Sequence, residues 1–285
     1  MAFKDILVYA QATEQSFARL SLAAEMAVSQ GARLTALYVM TESTEQRARH
    51  TNAEYGLVPA RELLKLEESF VAANRAEAET VRAQVTALQA QHDVPMTWCC
   101  VTGSPAEILA EHARTADICV LGQEVEGESS SGYSFAEAML FVTGRPILFV
   151  PAKGTFSGVG HKIAIAWNGS RPATRTVSDA LPLLQHADQV TLLTINAPKF
   201  LNRSGGTTID AMQAHLCRHG VPADIRHFDA PPGAIAEALQ RAAMGIGADL
   251  LIAGAYGHPK LWEKFLGGVT RDLLEQMRMP MMLSH

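Results

Sequence analysis

The chain carries the same pattern twice. Lys4-Asp5-Ile6-Leu7-Val8-Tyr9-Ala10 resembles Lys162-Ile163-Ala164-Ile165-Ala166-Trp167-Asn168, and Ala32–Val39 resembles Asp188–Ile195. Further on, Ala116-Asp117-Ile118-Cys119-Val120-Leu121-Gly122 resembles Ala248-Asp249-Leu250-Leu251-Ile252-Ala253-Gly254, and Arg145–Val150 resembles Met279–Ser284. Four matches in one order predict two copies of a single fold within the 285 residues. The join falls in the glycine-rich, aperiodic stretch Ala152–Gly160. The expected domains are therefore 1–152 and 161–285, with 153–160 as a linker.

Each copy alternates short apolar runs with amphipathic segments. Strands are expected near 4–10, 33–39, 95–101, 117–122 and 146–151, then near 162–167, 189–195, 223–228, 249–254 and 280–284. The runs are almost continuously apolar, as strands covered on both faces are. Helices are expected over 14–30, 60–92, 105–114, 134–143, 172–186, 207–219, 233–246 and 268–278. Gly31 sits where a helix-ending glycine would, and Ser134 with Glu137 forms a capping box. Strands joined by crossovers of this length predict a doubly wound α/β fold, with parallel strands and helices on both faces. In 60–92 the stripe Leu63, Leu66, Phe70, Ala73, Val81, Val85 and Leu88 breaks at Glu77, which favours a solvated helix on the sheet over a coiled coil.

Composition narrows the function. Lys+Arg is 24 and Asp+Glu is 29, for a net charge of −5, and a nucleic-acid binder would present a basic face. No apolar run approaches the ~18 residues of a membrane span, and the N-terminus lacks the shape of a secretory signal. Four cysteines without a Cys-x-x-Cys make no disulfide framework, so a reduced cytoplasmic protein is expected. Residues 1–152 carry 11 basic and 19 acidic side chains, and 153–285 carry 13 and 10. An anionic ligand should prefer the second copy.

The most informative stretch follows the run that ends at Gly254. It has the spacing G-x2-G-x9-G, formed by Gly254, Gly257 and Gly267, and continues Gly268-Val269-Thr270 at a helix start. Glycines let a backbone approach a ligand closely, and a helix N-terminus offers free N–H groups and a positive dipole end. The amides of Gly267, Gly268, Val269 and Thr270 suit a phosphate chain, with the Thr270 hydroxyl as a further donor and Lys260, Lys264 and Arg271 nearby. By spacing alone the stretch reads equally well as a turn before an ordinary helix.

Together with Trp167-Asn168-Gly169-Ser170 after the first strand of the copy, this pattern resembles the universal stress protein family, with the whole chain as a tandem pair. The resemblance implies five parallel strands per domain in the order 3-2-1-4-5. It also implies ATP or another adenine nucleotide, with or without Mg2+, at the switch between first and fourth strands. It implies nucleoside contacts at Ala166, Trp167, Asn168 and Ile195, and phosphate contacts at Gly254, Tyr256, Gly257, Gly267, Gly268 and Val269. Two residues depart from the family: Asn168 replaces an aspartate, and Gly268 replaces a Ser or Thr. It further implies that the last strands, 146–150 and 280–284, pair within the chain as a pseudo-dimer, with a homodimer also open.

The first copy lacks G-x2-G and has Glu124, Glu126 and Glu128 where a polyphosphate would sit, so no ATP is expected there. Ser129–Ser131 reads as a loop. No Walker A motif, no G-x-G-x-x-G after a strand and no G-x-S-x-G elbow occurs. His215 and His219 have metal-sharing spacing, but no third ligand is obvious. His258 lies inside the glycine loop, and Trp262 would be a lid or an interface residue. Three functions remain: a regulatory nucleotide-binding stress protein, a scaffold without nucleotide, or a slow ATPase. The last lacks a clear general base.

Overall fold

The computed structural model describes residues 2–41, 60–123, 134–196, 209–231, 233–256 and 268–285, with backbone alone at 60–64, 66 and 67. The first half runs β1 (Asp5–Tyr9), α1 (Glu14–Gln30), β2 (Arg33–Met40), α2 (Ala60–Gln91), β3 (Met96–Thr102), α3 (Pro105–Ala113), β4 (Ile118–Gly122), α4 (Phe135–Val142) and β5 (Ile147–Val150). The second runs β6 (Lys162–Ala166), α5 (Arg171–Leu184), β7 (Gln189–Ile195), α6 (Ile209–Arg218), β8 (Ala223–Phe228), α7 (Ile235–Gly245), β9 (Leu250–Gly254), α8 (Gly268–Glu275) and β10 (Met281–Ser284).

Local chemistry explains the element ends. Gly31 takes φ 60° and ends α1, its N–H turning back to the carbonyls of Ala27 and Val28. Ser134 and Glu137 complete both halves of the capping box that opens α4. Leu63 and Leu66 of the expected α2 stripe lie outside the described side chains. Ala78, Val81, Val85 and Leu88 are buried, but Ala73 is exposed. At the break, the Glu77 carboxylate accepts the Tyr38 hydroxyl (3.0 Å). Among the described side chains, the later turns of α2 are the ones that lie on the core.

The strands form one ten-stranded sheet in the order β3-β2-β1-β4-β5-β10-β9-β6-β7-β8. Each half runs in the expected order 3-2-1-4-5, but the two five-stranded sets are joined as one sheet instead of standing as two. Neighbours within each half are parallel, and β5 meets β10 antiparallel, Met281 opposite Phe149, Met282 opposite Leu148 and Leu283 opposite Ile147. Leu148 thus faces its own counterpart in the repeat, as pairing about a local twofold requires. All six of these side chains are 0% exposed, so each contributes the ~1.5–3 kcal/mol of a fully buried apolar group. The physical reason for the merger is that each half would otherwise end in an unpaired strand edge.

Alternation along the strands divides the core. Ile6, Val8, Ile163 and Ile165 join α1, α2, α5 and α6 on one face. Leu7 and Ala164 join α3, α4, α7 and α8 on the other. The result is three layers, with the sheet buried on both sides.

Leu148→Lys would put an unpaired ammonium at the junction of the halves. Urea unfolding should show a loss above about 4 kcal/mol. Val28→Lys, at an exposed position of α1, should stay within ~0.5 kcal/mol of the parent.

Candidate functional site

The order β10-β9-β6-β7-β8 makes β6 and β9 direct neighbours, with Ala166 opposite Ala253 at their carboxyl ends. From β6 the chain moves to β7 on one side and returns through β9 on the other. The carboxyl ends of β6 and β9 are therefore the switch point at which an open α/β sheet presents a crevice. Residues 167–170 and the stretch after Gly254 both leave the sheet there.

Ala166 and Ile195 end β6 and β7, half-buried and packed on the core of the α7–α8 face. Two apolar side chains that motif reading did not single out, Phe228 and Ile235, share that core. Phe228 lies opposite Ile195. The floor beside β6 and β7 is thus apolar and only partly covered. Trp167 is 3% exposed and belongs to the opposite core. Its indole Nε1 is buried without an acceptor among the described residues.

Asn168 is exposed, and its Oδ1 accepts the Ser170 N–H (3.0 Å). Ser170 then caps α5, its Oγ accepting the Ala173 N–H (3.3 Å). The Asn168 oxygen is committed to this turn, which leaves its amide hydrogens as donors; an aspartate would only accept.

Gly254 has a structural demand of its own. A Cβ there would overlap the backbone of Pro172 and Ala173, because α5 meets the end of β9 directly. The Thr176 hydroxyl also donates to the Ala253 carbonyl (3.2 Å) across this contact. Tyr256 holds a positive φ of 56°, a strain of order 1 kcal/mol for a side chain without special tolerance. Its N–H donates to Thr270 Oγ1 (3.3 Å), and Thr270 is 6% exposed. The Thr270 hydroxyl therefore ties the loop to α8 instead of reaching outward. Gly268 and Val269 open α8 and are exposed. Gly257, His258, Lys260, Trp262, Lys264 and Gly267 lie outside the described residues.

The Tyr256 side chain turns toward the first half. Its hydroxyl donates to Glu137 Oε1 (2.8 Å), and Arg271 Nε donates to the same oxygen (3.4 Å). The other oxygen accepts the Ser134 N–H (3.0 Å). Glu137 is 3% exposed. Burial pushes its carboxyl up, but the Ser134 amide, the Tyr256 hydroxyl and Arg271 outweigh that and hold it below the ordinary carboxylate range. The positive charge of Arg271, expected from sequence to serve a phosphate, is already shared with this carboxylate.

At the matching place in the first half stands Arg19, which motif reading missed. It is 4% exposed. Nε and Nη2 donate to the Tyr9 carbonyl (3.1 and 2.8 Å), and Nη2 donates to Ser16 Oγ (3.1 Å). The guanidinium lies against Gly122, where any Cβ would strike it. Among the described residues no carboxylate pairs with it, and burial pulls it down to about 10. Counted from the helix caps Thr13 and Ser170, Thr176 holds this position in the second half, one residue off the sequence alignment of the first strands; a guanidinium separates α1 from β4 while α5 touches β9 directly. The only sequence signal was an arginine inside an otherwise apolar helix face. Glu124, Glu126, Glu128 and Ser129–Ser131 lie outside the described residues. His215 and His219 lie 4.6 Å apart between ring centroids, with their planes tilted by 56°. No group of three or more metal-ligating side chains occurs among the described residues.

No family model matches the sequence, and no curated protein matches it. Solved structures do. A universal stress protein from Archaeoglobus fulgidus DSM 4304 matches with 13% identity and a TM-score of 0.72, covering 98% of this chain and 95% of its own. A putative universal stress protein from Pseudomonas aeruginosa UCBPP-PA14 matches with 13% identity and a TM-score of 0.60, covering 99% and 93%. At that identity the likeness is one of fold, and it spans both repeats. The chain has a tandem universal-stress-protein-like fold.

Gly254→Ala should lower stability by more than about 2 kcal/mol, because backbone cannot move aside as a side chain can; thermal unfolding reads this. Glu137 makes a second, pH-dependent prediction. Its folded carboxyl lies below its unfolded value, so its contribution is present above the ordinary carboxylate range and fades as pH falls through the folded value. The stability gap between the parent and Glu137→Gln should therefore narrow between pH 6 and pH 3 in urea titrations.

Proposed function

We propose that the chain is a regulatory stress protein of the universal stress protein family that binds an adenine nucleotide, ATP foremost, in its second half. The reading takes 1–152 and 161–285 as two domains joined by 153–160, paired through β5 and β10 as an intramolecular pseudo-dimer. The observation that carries it is the meeting of two features at one switch point. Half-buried apolar side chains, Ala166 and Ile195, line one side, and an exposed helix start at Gly268 and Val269 follows the glycine spacing. Apolar floors take planar bases, and helix N-termini take phosphate.

In this reading Ala166, Asn168 and Ile195 hold the nucleoside, with Trp167 contributing backbone alone because its side chain belongs to the opposite core. Gly254, Tyr256, Gly257, Gly267, Gly268, Val269 and Thr270 shape the phosphate loop, with backbone amides as the donors. Thr270 and Tyr256 act mainly by fixing the loop to α8. Asn168 donates to the nucleoside. The first half takes no nucleotide, and Arg19 adds a physical reason: its guanidinium fills the space beside β4. Mg2+ would be held by the phosphates and water, since no described carboxylate cluster is built for it. The protein belongs in the reduced cytoplasm, consistent with four free cysteines. No helix among the described residues is long and apolar enough to cross a membrane.

A scaffold without nucleotide is the second reading. It draws on the commitment of the Asn168 oxygen to Ser170 and of Arg271 to Glu137, which leaves fewer groups for a ligand.

Isothermal titration with ATP separates the two. The intact protein should give saturable heat at one site, and Gly257→Glu should weaken it by roughly 100-fold or more through charge repulsion. Absence of saturable heat from the intact protein would favour the scaffold.

A further inference from the structure

We infer that the first repeat positions α8 of the second, whose exposed start at Gly268 and Val269 is the proposed phosphate end, through Gln123 and Glu137, which grip α8 at its two ends. The inference rests on the nucleotide reading for its functional half, while the grip itself is visible without it.

At the carboxyl end of α8, the Gln123 amide donates Nε2 to the carbonyls of Leu274 (3.0 Å) and Glu275 (2.8 Å). Its oxygen accepts the Ala152 N–H (3.1 Å). Both of those carbonyls belong to the last turn, where helices leave acceptors unpaired. Gln123 directly follows β4, at the repeat position that Ala255 holds after β9. The first copy's remnant of the loop has thus become a cap for the other copy's helix.

At the amino end, Glu137 receives Tyr256 and Arg271 on one oxygen and its own helix cap on the other. The Tyr256 ring also packs on Phe141 of α4, 4.8 Å between centroids, and His285 meets Phe141 at 4.7 Å. One buried carboxylate therefore closes α4 of the first repeat and anchors the first turn of α8 in the second. Helix shifts of 1–2 Å are how packed folds commonly switch. Such a shift of α8 breaks bonds to the first repeat at both ends. An anion at the start of α8 also competes with Glu137 for Arg271. Occupancy of the loop is consequently felt at α4, and by reciprocity the state of α4 sets the affinity of the loop.

Gln123 and Glu137 touch no proposed ligand atom and act through α8, so they are positioning residues. Hydrogen exchange of the full-length protein without ligand tests the grip. Gln123→Ala and Glu137→Gln should each speed exchange of amides in 268–275 about tenfold, with Glu137→Ala as a harsher companion. Val85→Ala in α2 supplies a destabilised control. Equal speeding by that control, or no change in 268–275, overturns the grip. Titration with ATP tests the functional half: both variants should weaken binding about tenfold while Val85→Ala leaves it unchanged. In the intact protein, ATP should slow exchange in 134–142 as well as in 268–275. Affinity unaltered by either substitution overturns the positioning role. An intact protein that shows the grip but gives no heat with ATP removes the nucleotide reading and leaves the grip standing.

Discussion

The antiparallel contact between β5 and β10 governs the rest of the molecule. Each is a four-residue strand, covered by helices on both faces, and each supplies the hydrogen-bonding edge that the other needs. Joining them converts two half-sheets into a single one, with the outer strands β3 and β8 as its two edges. It also brings α4 and α8, which lie on the same face, close enough for Glu137 to reach Tyr256. Without that strand pair the two repeats would have no common core and no means of sensing one another.

Equal folds need not carry equal sites. Around each switch point the same question is settled by a different side chain. In the second half Gly254 lets α5 approach β9 until backbone meets backbone, and Thr176 bonds across the contact. In the first half Arg19 is interposed, its charge met by a carbonyl and a serine hydroxyl. A buried guanidinium is expensive unless its donors are used, and here the Tyr9 carbonyl and the Ser16 hydroxyl use them. The asymmetry therefore lies in the helix after the first strand as much as in the loop after the fourth.

Much of this was legible beforehand because it is local. Apolar runs and helical periods placed the elements to within a few residues, and Gly31 and the Ser134–Glu137 box marked real ends. The candidate crevice was legible for the same reason, since both of its loops follow strands recognisable by pattern. What was misread was a matter of environment. Thr270 looked like a donor and is found accepting the Tyr256 N–H, and Arg271 looked like nearby charge only and is found bonded to Glu137. Ala73 looked like part of the α2 stripe and is exposed.

Taken alone, the order of residues determined the repeat, the alternation of strand and helix, and the end of the sheet at which a ligand would be met. These follow from periodicity and from turn and cap chemistry, which act over a few positions. Tertiary structure alone decided that β5 and β10 meet antiparallel with Leu148 opposite Met282, that Arg19 stands between α1 and Gly122, and that Gln123 and Glu137 hold α8. Those contacts join residues 151 and 119 positions apart. No pattern within a single element encodes them, because they exist only once two separately patterned surfaces have been pressed together.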